Sequence, residues 1–253
     1  MLELIILSII QGITEFFPIS SSGHLVLFQG LLGFDPQGSL ELNVLLHLAT
    51  FFSILIYFKD EIQSLIFGLF QLRKDSLILF YQMIIASIPA AIVGFTLKDS
   101  ISYISTPFFV SIFFLLTATY FYFTENKSKK FDIQNPYLFA FIVGLSQSLA
   151  LLPGVSRSGI TLSTALLIGA SRVKGAKFSF LIGLPAIFGA CVLTFKDSKN
   201  LSLYLNTEYL VAFTICSIVG YFSIKYLMKI YQEKTLIPFA NYLLVLGVIL
   251  ILS

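Results

Sequence analysis

Charge is scarce in this sequence. Only 11% of its 253 residues are Asp, Glu, Lys or Arg, while 57% are hydrophobic. The mean hydropathy of +0.92 lies far outside the range of a soluble domain. That balance excludes a water-soluble enzyme and indicates a polytopic membrane protein. Cysteine is also rare. Cys191 and Cys216 each sit in an apolar run, offer neither a disulfide framework nor a paired-cysteine metal knuckle, and read as packing residues. A basic leader is missing too: MLELIILSII carries Glu3 and reaches no small-residue cleavage site, so these residues are expected to stay in the mature protein. The net charge of +3 needs no nucleic acid as a partner.

What the sequence does have is long apolar runs. Stretches near 39–58, 79–97, 107–123, 178–195, 209–228 and 236–252 have the roughly 17 to 25 residues that cross a bilayer. Two more, 2–33 and 136–169, are long enough but interrupted, one by FFPISSSG and the other by LPGVSRSG. Proline and glycine end a helix there, and a serine can cap the next by accepting from an orphan amide. Irregular backbone at membrane depth survives only inside protein or beside a wet cavity, so both regions read as re-entrant helix-loop-helix hairpins. The expected fold is an all-α integral membrane protein, one membrane domain over 1–253, with six transmembrane helices and two re-entrant hairpins.

Each broken region precedes three spans, the pattern of internal repeats at about 1–125 and 136–253. Three is odd, so the second half is inverted. With Arg157 inside a hairpin, twelve Lys and Arg fall on one side and Lys98, Lys196 and Lys199 on the other. The positive-inside rule then puts the twelve in the cytoplasm and both termini outside.

The interruptions carry the chemistry. Gln11 and Glu15 are four apart and share a helical face. The tip after them offers Ser20, Ser21, Ser22 and the amides around Gly23; the second tip offers Ser156, Arg157, Ser158, Gly159 and Thr161. Two half-helix N-termini facing one centre form a donor-rich pocket suited to phosphate, and arginine adds a bidentate fork. Glu15 in hydrocarbon costs roughly 2.5 to 3.5 kcal/mol, which points to function. His24 can exchange a proton near neutral pH. Structural alternatives stand beside these: a Glu15–Arg157 pair joining the hairpins, serines acting as caps, and His47 of VLLHLAT as a satisfied core or polar contact. Glu41 and Asn43 read as a cap or rim for the same span.

QGITEFFPISSSGHL, IPAAIVGF, LPGVSRSGIT and FSFLIGLPAIFGA, in that order, closely resemble the undecaprenyl-pyrophosphate phosphatase family, also called the bacitracin-resistance family. The resemblance implies a bacterial cytoplasmic-membrane enzyme that removes the terminal phosphate of a C55 isoprenyl pyrophosphate, and the sidedness of the basic residues predicts that its site opens to the outer face. It also implies a divalent cation, Mg²⁺ or Ca²⁺, and leaves room for a homodimer. By position the family's acidic pair falls on Gln11 and Glu15, its serines on Ser20 to Ser22, its histidine on His24 and its arginine on Arg157. Gln11 stands where many members have glutamate; its carbonyl can bind a hard cation but cannot be a base. Asn43 also stands where an acid is common. Catalysis is expected from Glu15, Ser21, His24 and Arg157, with Ser21 the preferred nucleophile, His24 its acid/base partner, and His24 or water the alternatives.

Two rivals remain. Type-2 phosphatidic-acid phosphatase chemistry needs a histidine six residues after the arginine, where this chain has Ser163. An anionic-lipid transporter or flippase shares the expected architecture.

Overall fold

The computed structural model describes residues 1–34, 36–127, 131–197, 206–233 and 235–252, with side chains described except at 36–40, 98–102, 194–197 and 233. Among the described residues there are eleven helices and no strand: α1 Leu2–Thr14, α2 Ser21–Leu31, α3 Pro36–Tyr57, α4 Lys59–Phe70, α5 Lys74–Tyr103, α6 Pro107–Lys127, α7 Pro136–Leu149, α8 Arg157–Leu167, α9 Arg172–Asp197, α10 Thr207–Glu233 and α11 Ile237–Leu252. Each of the six expected spans falls on a helix. Four helices, α5, α6, α9 and α10, are long and apolar enough to cross, and α3 with α4 makes a fifth if a 76° bend is allowed within it. At 16 residues α11 is apolar but short for the roughly 20 a span needs.

The unexpected helix is α4. Its sequence, KDEIQSLIFGLF, opens with charge, yet Asp60 and Glu61 lie in its first turn, where acids complement the helix dipole. Both interrupted regions are helix, break, helix, as their proline, glycine and serine content predicts. Asn135 starts α7 by accepting from the amides of Tyr137 and Leu138 at 2.9 and 3.1 Å, while Pro136, lacking an N–H, occupies the first helical position. The approach to α7 also meets the exit of α8: Phe131 N–H donates to Leu167 O at 3.1 Å and Ile133 N–H to Ile168 O at 3.2 Å.

Helix α1 packs on α10, α7 on α5, α6 on α11, and α3 on both α9 and α10. The fully buried rings of Phe16, Phe114, Phe121 and Phe180 gather around the two hairpin tips. Outward faces stay apolar, with Phe95, Leu116, Ile218 and Phe222 exposed, the surface a lipid solvent requires. At one end α9 is tied to its neighbours by charge. Lys177 Nζ donates to Glu61 at 2.8 Å, and Arg172 binds both oxygens of Glu125 at 2.8 and 2.6 Å. Glu125 also accepts the Leu236 amide at 2.7 Å. Lys129, Lys130, Lys199 and Lys234 lie outside the described residues, as do the side chains of Lys98 and Lys196.

The hairpins meet each other across α6. A Cβ on Gly23 would lie 2.6 Å from the Phe114 ring and 3.1 Å from Gly154 Cα; one on Gly159 would overlap the Phe121 ring and lie 2.9 Å from Pro18 Cβ. Each half-helix therefore seats its glycine against a phenylalanine of α6 and against the turn of the opposite hairpin.

Candidate active site

The two tips have matching construction. Ser20 and Ser156 are the caps of α2 and α8, accepting the amides of Gly23 at 3.3 Å and Gly159 at 3.2 Å. Ser22 lies 3.3 Å from Ser20 and Ser158 lies 3.4 Å from Ser156, oxygen to oxygen. Within each tip the first helical residue is then Ser21 or Arg157, and the first amides of each half-helix have no carbonyl a turn below them. Ser20 has φ +69°, a backbone region that costs a side-chain-bearing residue about 1 to 3 kcal/mol and brings the serine run round toward the cleft.

Between the tips lies a cleft of about 150 Å³, lined by Glu15, Ser20, Ser21, Ser22, Ser156 and Arg157, and closed by His47, Gln147, Ala90, Ala186, Ala190 and their neighbours. Glu15 is its centre. One oxygen, Oε1, accepts from Arg157 Nη2 at 2.8 Å; the other, Oε2, accepts from Ser21 Oγ at 2.6 Å and from Gln11 Nε2 at 3.1 Å. His47 Nε2 stands 3.7 Å from the same oxygen, its Nδ1 donating to Asn43 O at 2.7 Å. Glu15 is 7% exposed, and a buried carboxylate of this kind is tolerated only when its charge is paired and its oxygens are filled. Arg157 is held from behind, Nη1 donating to Ser179 O at 3.3 Å.

Several expected residues thus come together: Glu15, Ser21 and Arg157, with Ser20, Ser22 and Ser156. Others go elsewhere. His24, expected beside Ser21 as its proton partner, faces α6 and α11. Its Nδ1 donates to Ser20 O at 2.8 Å, its Nε2 accepts from Tyr242 at 2.7 Å, and its ring lies against Phe114. Spacing from Ser21 does not dictate this, since positions three apart are neighbours on a helix; the roll of α2 carries the ring into the aromatic pocket of Phe114 and Tyr242. Gly23 and Gly159 carry the packing described above. Ser158 Oγ donates to Phe17 O of the other hairpin at 3.5 Å, while Thr161 turns to α9, its Oγ1 2.6 Å from Ser179 Oγ, which also donates to Ser158 O at 3.3 Å. His47, expected as a core or polar contact, stands in the cleft instead. So does Gln147, whose equivalence to Gln11 was visible from its position before the second tip. The signal for His47 was also present: it is an ionisable group inside a span.

For a cation the donor set is sparse. Among the described residues no three His, Cys, Asp or Glu side chains cluster. Gln11 Oε1, however, is buried without a partner, beside the one carboxylate. A cation that takes its other ligands from water and phosphate, the habit of Mg²⁺, fits these two residues only by displacing part of the Arg157, Ser21 or Gln11 contacts on Glu15.

Known proteins are similar to this chain over nearly its full length. It is 40% identical over 250 residues to the undecaprenyl-diphosphatase of Thermosipho africanus, covering 97% of each chain. To that of Trichlorobacter lovleyi it is 39% identical, over 98% of this chain and 95% of the relative. To that of Methanococcus vannielii it is 38% identical, over 90% of each. A family model described as bacitracin resistance protein BacA matches residues 4–249. The chain belongs to the bacitracin resistance protein BacA family.

Proposed function

We propose that this protein is a membrane phosphatase that hydrolyses undecaprenyl pyrophosphate to undecaprenyl phosphate and inorganic phosphate, returning the lipid carrier to cell-wall synthesis and thereby opposing bacitracin. The single observation that carries this reading is the Ser21–Glu15–Arg157 constellation at two facing half-helix N-termini: a serine hydroxyl 2.6 Å from a carboxylate and a guanidinium on that carboxylate's other oxygen.

In this reading Ser21 Oγ attacks the terminal phosphorus in line with the bridging oxygen. Glu15 takes the hydroxyl proton as the O–P bond forms and passes it to the departing bridging oxygen as the anhydride bond breaks, releasing undecaprenyl phosphate and restoring the carboxylate. Water then cleaves the phosphoserine with Glu15 as base, and the proton returns to Ser21. Arg157 and the amides that open α2 and α8 hold the charge on the phosphoryl oxygens. His24, through Ser20 O and Tyr242, fixes the tip rather than handling the proton. Gln11 and Glu15 would hold the divalent cation, which, when bound, neutralises pyrophosphate charge.

The architecture belongs to the same proposal: two inverted repeats, each a re-entrant hairpin and three spans, with both termini and the cleft on the outer side. Supporting it are the equivalent caps Ser20 and Ser156, the reciprocal contacts of Gly23 with Gly154 and Gly159 with Pro18, and the return of α8 to the approach of α7.

Purified protein in detergent, given C55 pyrophosphate, should release phosphate and lose that release with chelator. Arg157→Ala and Glu15→Ala should each lower the rate by on the order of 10² or more, the scale of removing an electrostatic clamp from a dry site. Near-wild-type release by the Arg157 variant would overturn this assignment. A lipid transporter would instead move the lipid across vesicles and release none.

A further inference from the structure

Nothing so far explains how Arg157 comes to face Glu15. Its side chain is long and flexible, and it lies only 14% exposed between the two hairpins and α9. The contact that decides its direction is with α9. A Cβ built on Gly183 would fall onto the Arg157 guanidinium, overlapping Nη1, 2.7 Å from Cζ and 3.0 Å from Nη2. One turn earlier, Ser179 accepts from Nη1 through its carbonyl, while its hydroxyl meets Thr161 and Ser158 O of the helix that Arg157 begins. Ser179 and Gly183 are therefore successive positions on one face of α9, the first gripping the guanidinium and the second providing the hollow in which it lies.

We infer that Gly183 is a positioning residue for the phosphate-binding arginine: residue 183 must lack a Cβ for Arg157 to reach Glu15 and the cleft. This rests on the phosphatase reading for its kinetic consequence, but not for its geometry. The atoms an added methyl would meet belong to the far end of a movable side chain, not to backbone or a locked ring. Relief is therefore available at low conformational expense, by displacement of Arg157. Gly183→Ala should fold as the wild type does and lose its phosphate chemistry. A glycine needed only for helix packing would behave in the opposite way. Glycine to alanine inside a helix is itself favourable, which offsets part of what the buried Glu15 loses when its guanidinium partner withdraws, so the variant should stay folded with a melting temperature somewhat below that of the wild type.

The test is a double-mutant cycle, which isolates action through a partner. Phosphate release from C55 pyrophosphate is measured for wild type, Gly183→Ala, Arg157→Lys and the double variant, with thermal unfolding of each and a structure of Gly183→Ala. Lysine carries a compact ammonium and lacks the planar fork, so it does not need the hollow. Gly183→Ala should lower kcat/KM at least tenfold in the wild-type background and less than twofold in the Arg157→Lys background, with cooperative thermal unfolding retained in every variant. Its structure should show Arg157 Nη2 withdrawn from Glu15 Oε1. Equal losses in both backgrounds, or wild-type activity in Gly183→Ala, would overturn the inference. So would an unmoved guanidinium in the variant structure. If the wild-type protein releases no phosphate, the phosphatase reading fails and the variant structure alone decides the role of Gly183.

Discussion

Glu15 serves four neighbours with two oxygens, and each neighbour marks a different consequence of altering the site. Gln11 gives Glu15 an N–H and leaves its own carbonyl oxygen buried and unpartnered. Replacing that amide by a carboxylate adds negative charge beside Glu15, and affinity at oxygen-ligand sites rises with ligand charge. Gln11→Glu is thus expected to reach half-maximal phosphate release at a lower Mg²⁺ concentration than wild type, and Glu15→Gln to move the midpoint up or abolish release. An unchanged midpoint in both would remove these two residues from any cation site. His47 requires a revised expectation. As a core histidine it would be dispensable, but its Nε2 faces Glu15 from the cleft wall. Losing a polar neighbour of a buried charge costs roughly 1 to 3 kcal/mol. His47→Ala should accordingly lower kcat/KM by about ten- to a hundredfold, measured as phosphate release at saturating cation.

At the scale of elements, the half-helices are held by glycine against aromatic rings. Phe121 is fully buried and cannot swing aside as a surface side chain would, so a methyl at 159 overpacks the junction between α8, α6 and Pro18. Overpacking of this kind typically costs about 1 to 3 kcal/mol. Gly159→Ala should lower the melting temperature, and adding Phe121→Leu should recover part of the loss; no recovery would place the strain elsewhere. These hairpins were the most legible part of the sequence. FFPISSSG and LPGVSRSG stop helices for covalent reasons, proline lacking an N–H and serine supplying a cap, and no tertiary context is needed to see that. Helix α4 was hidden because twelve residues opening with KDE lack the length of a span, although Ile62, Leu65, Ile66, Leu69 and Phe70 recur at helical spacing. Rotations were hidden as well. Whether His24 or His47 faces the cleft depends on how α2 and α3 roll against α6, α9 and α11, which residue spacing within one helix does not determine. Pro89 and Pro185 show the same division: each is plainly inside an apolar run, yet only the fold reveals that the alanine after each, Ala90 and Ala186, lines one cleft.

Across the whole molecule, the sidedness argued from the basic residues is open to direct measurement. Single cysteines at Gln71 and Gln232, in a background without Cys191 and Cys216, should react with an impermeant thiol reagent only from the cytoplasmic side, and one at Asn206 only from outside. Reaction of positions 71 and 206 from the same side would contradict the inverted arrangement. The matched tips have one more consequence, which concerns how such a molecule could have arisen. Ser21 stands where the other tip has Arg157, and Glu15 where it has Leu151, so the acid, the hydroxyl and the guanidinium are divided unequally between near-identical frames. A symmetric ancestor assembled from two copies of the first frame would have faced carboxylate with carboxylate; one made from two copies of the second would have had cations and no base. Neither half holds the acid, the hydroxyl and the guanidinium together, so neither half expressed alone should inherit hydrolysis by this constellation.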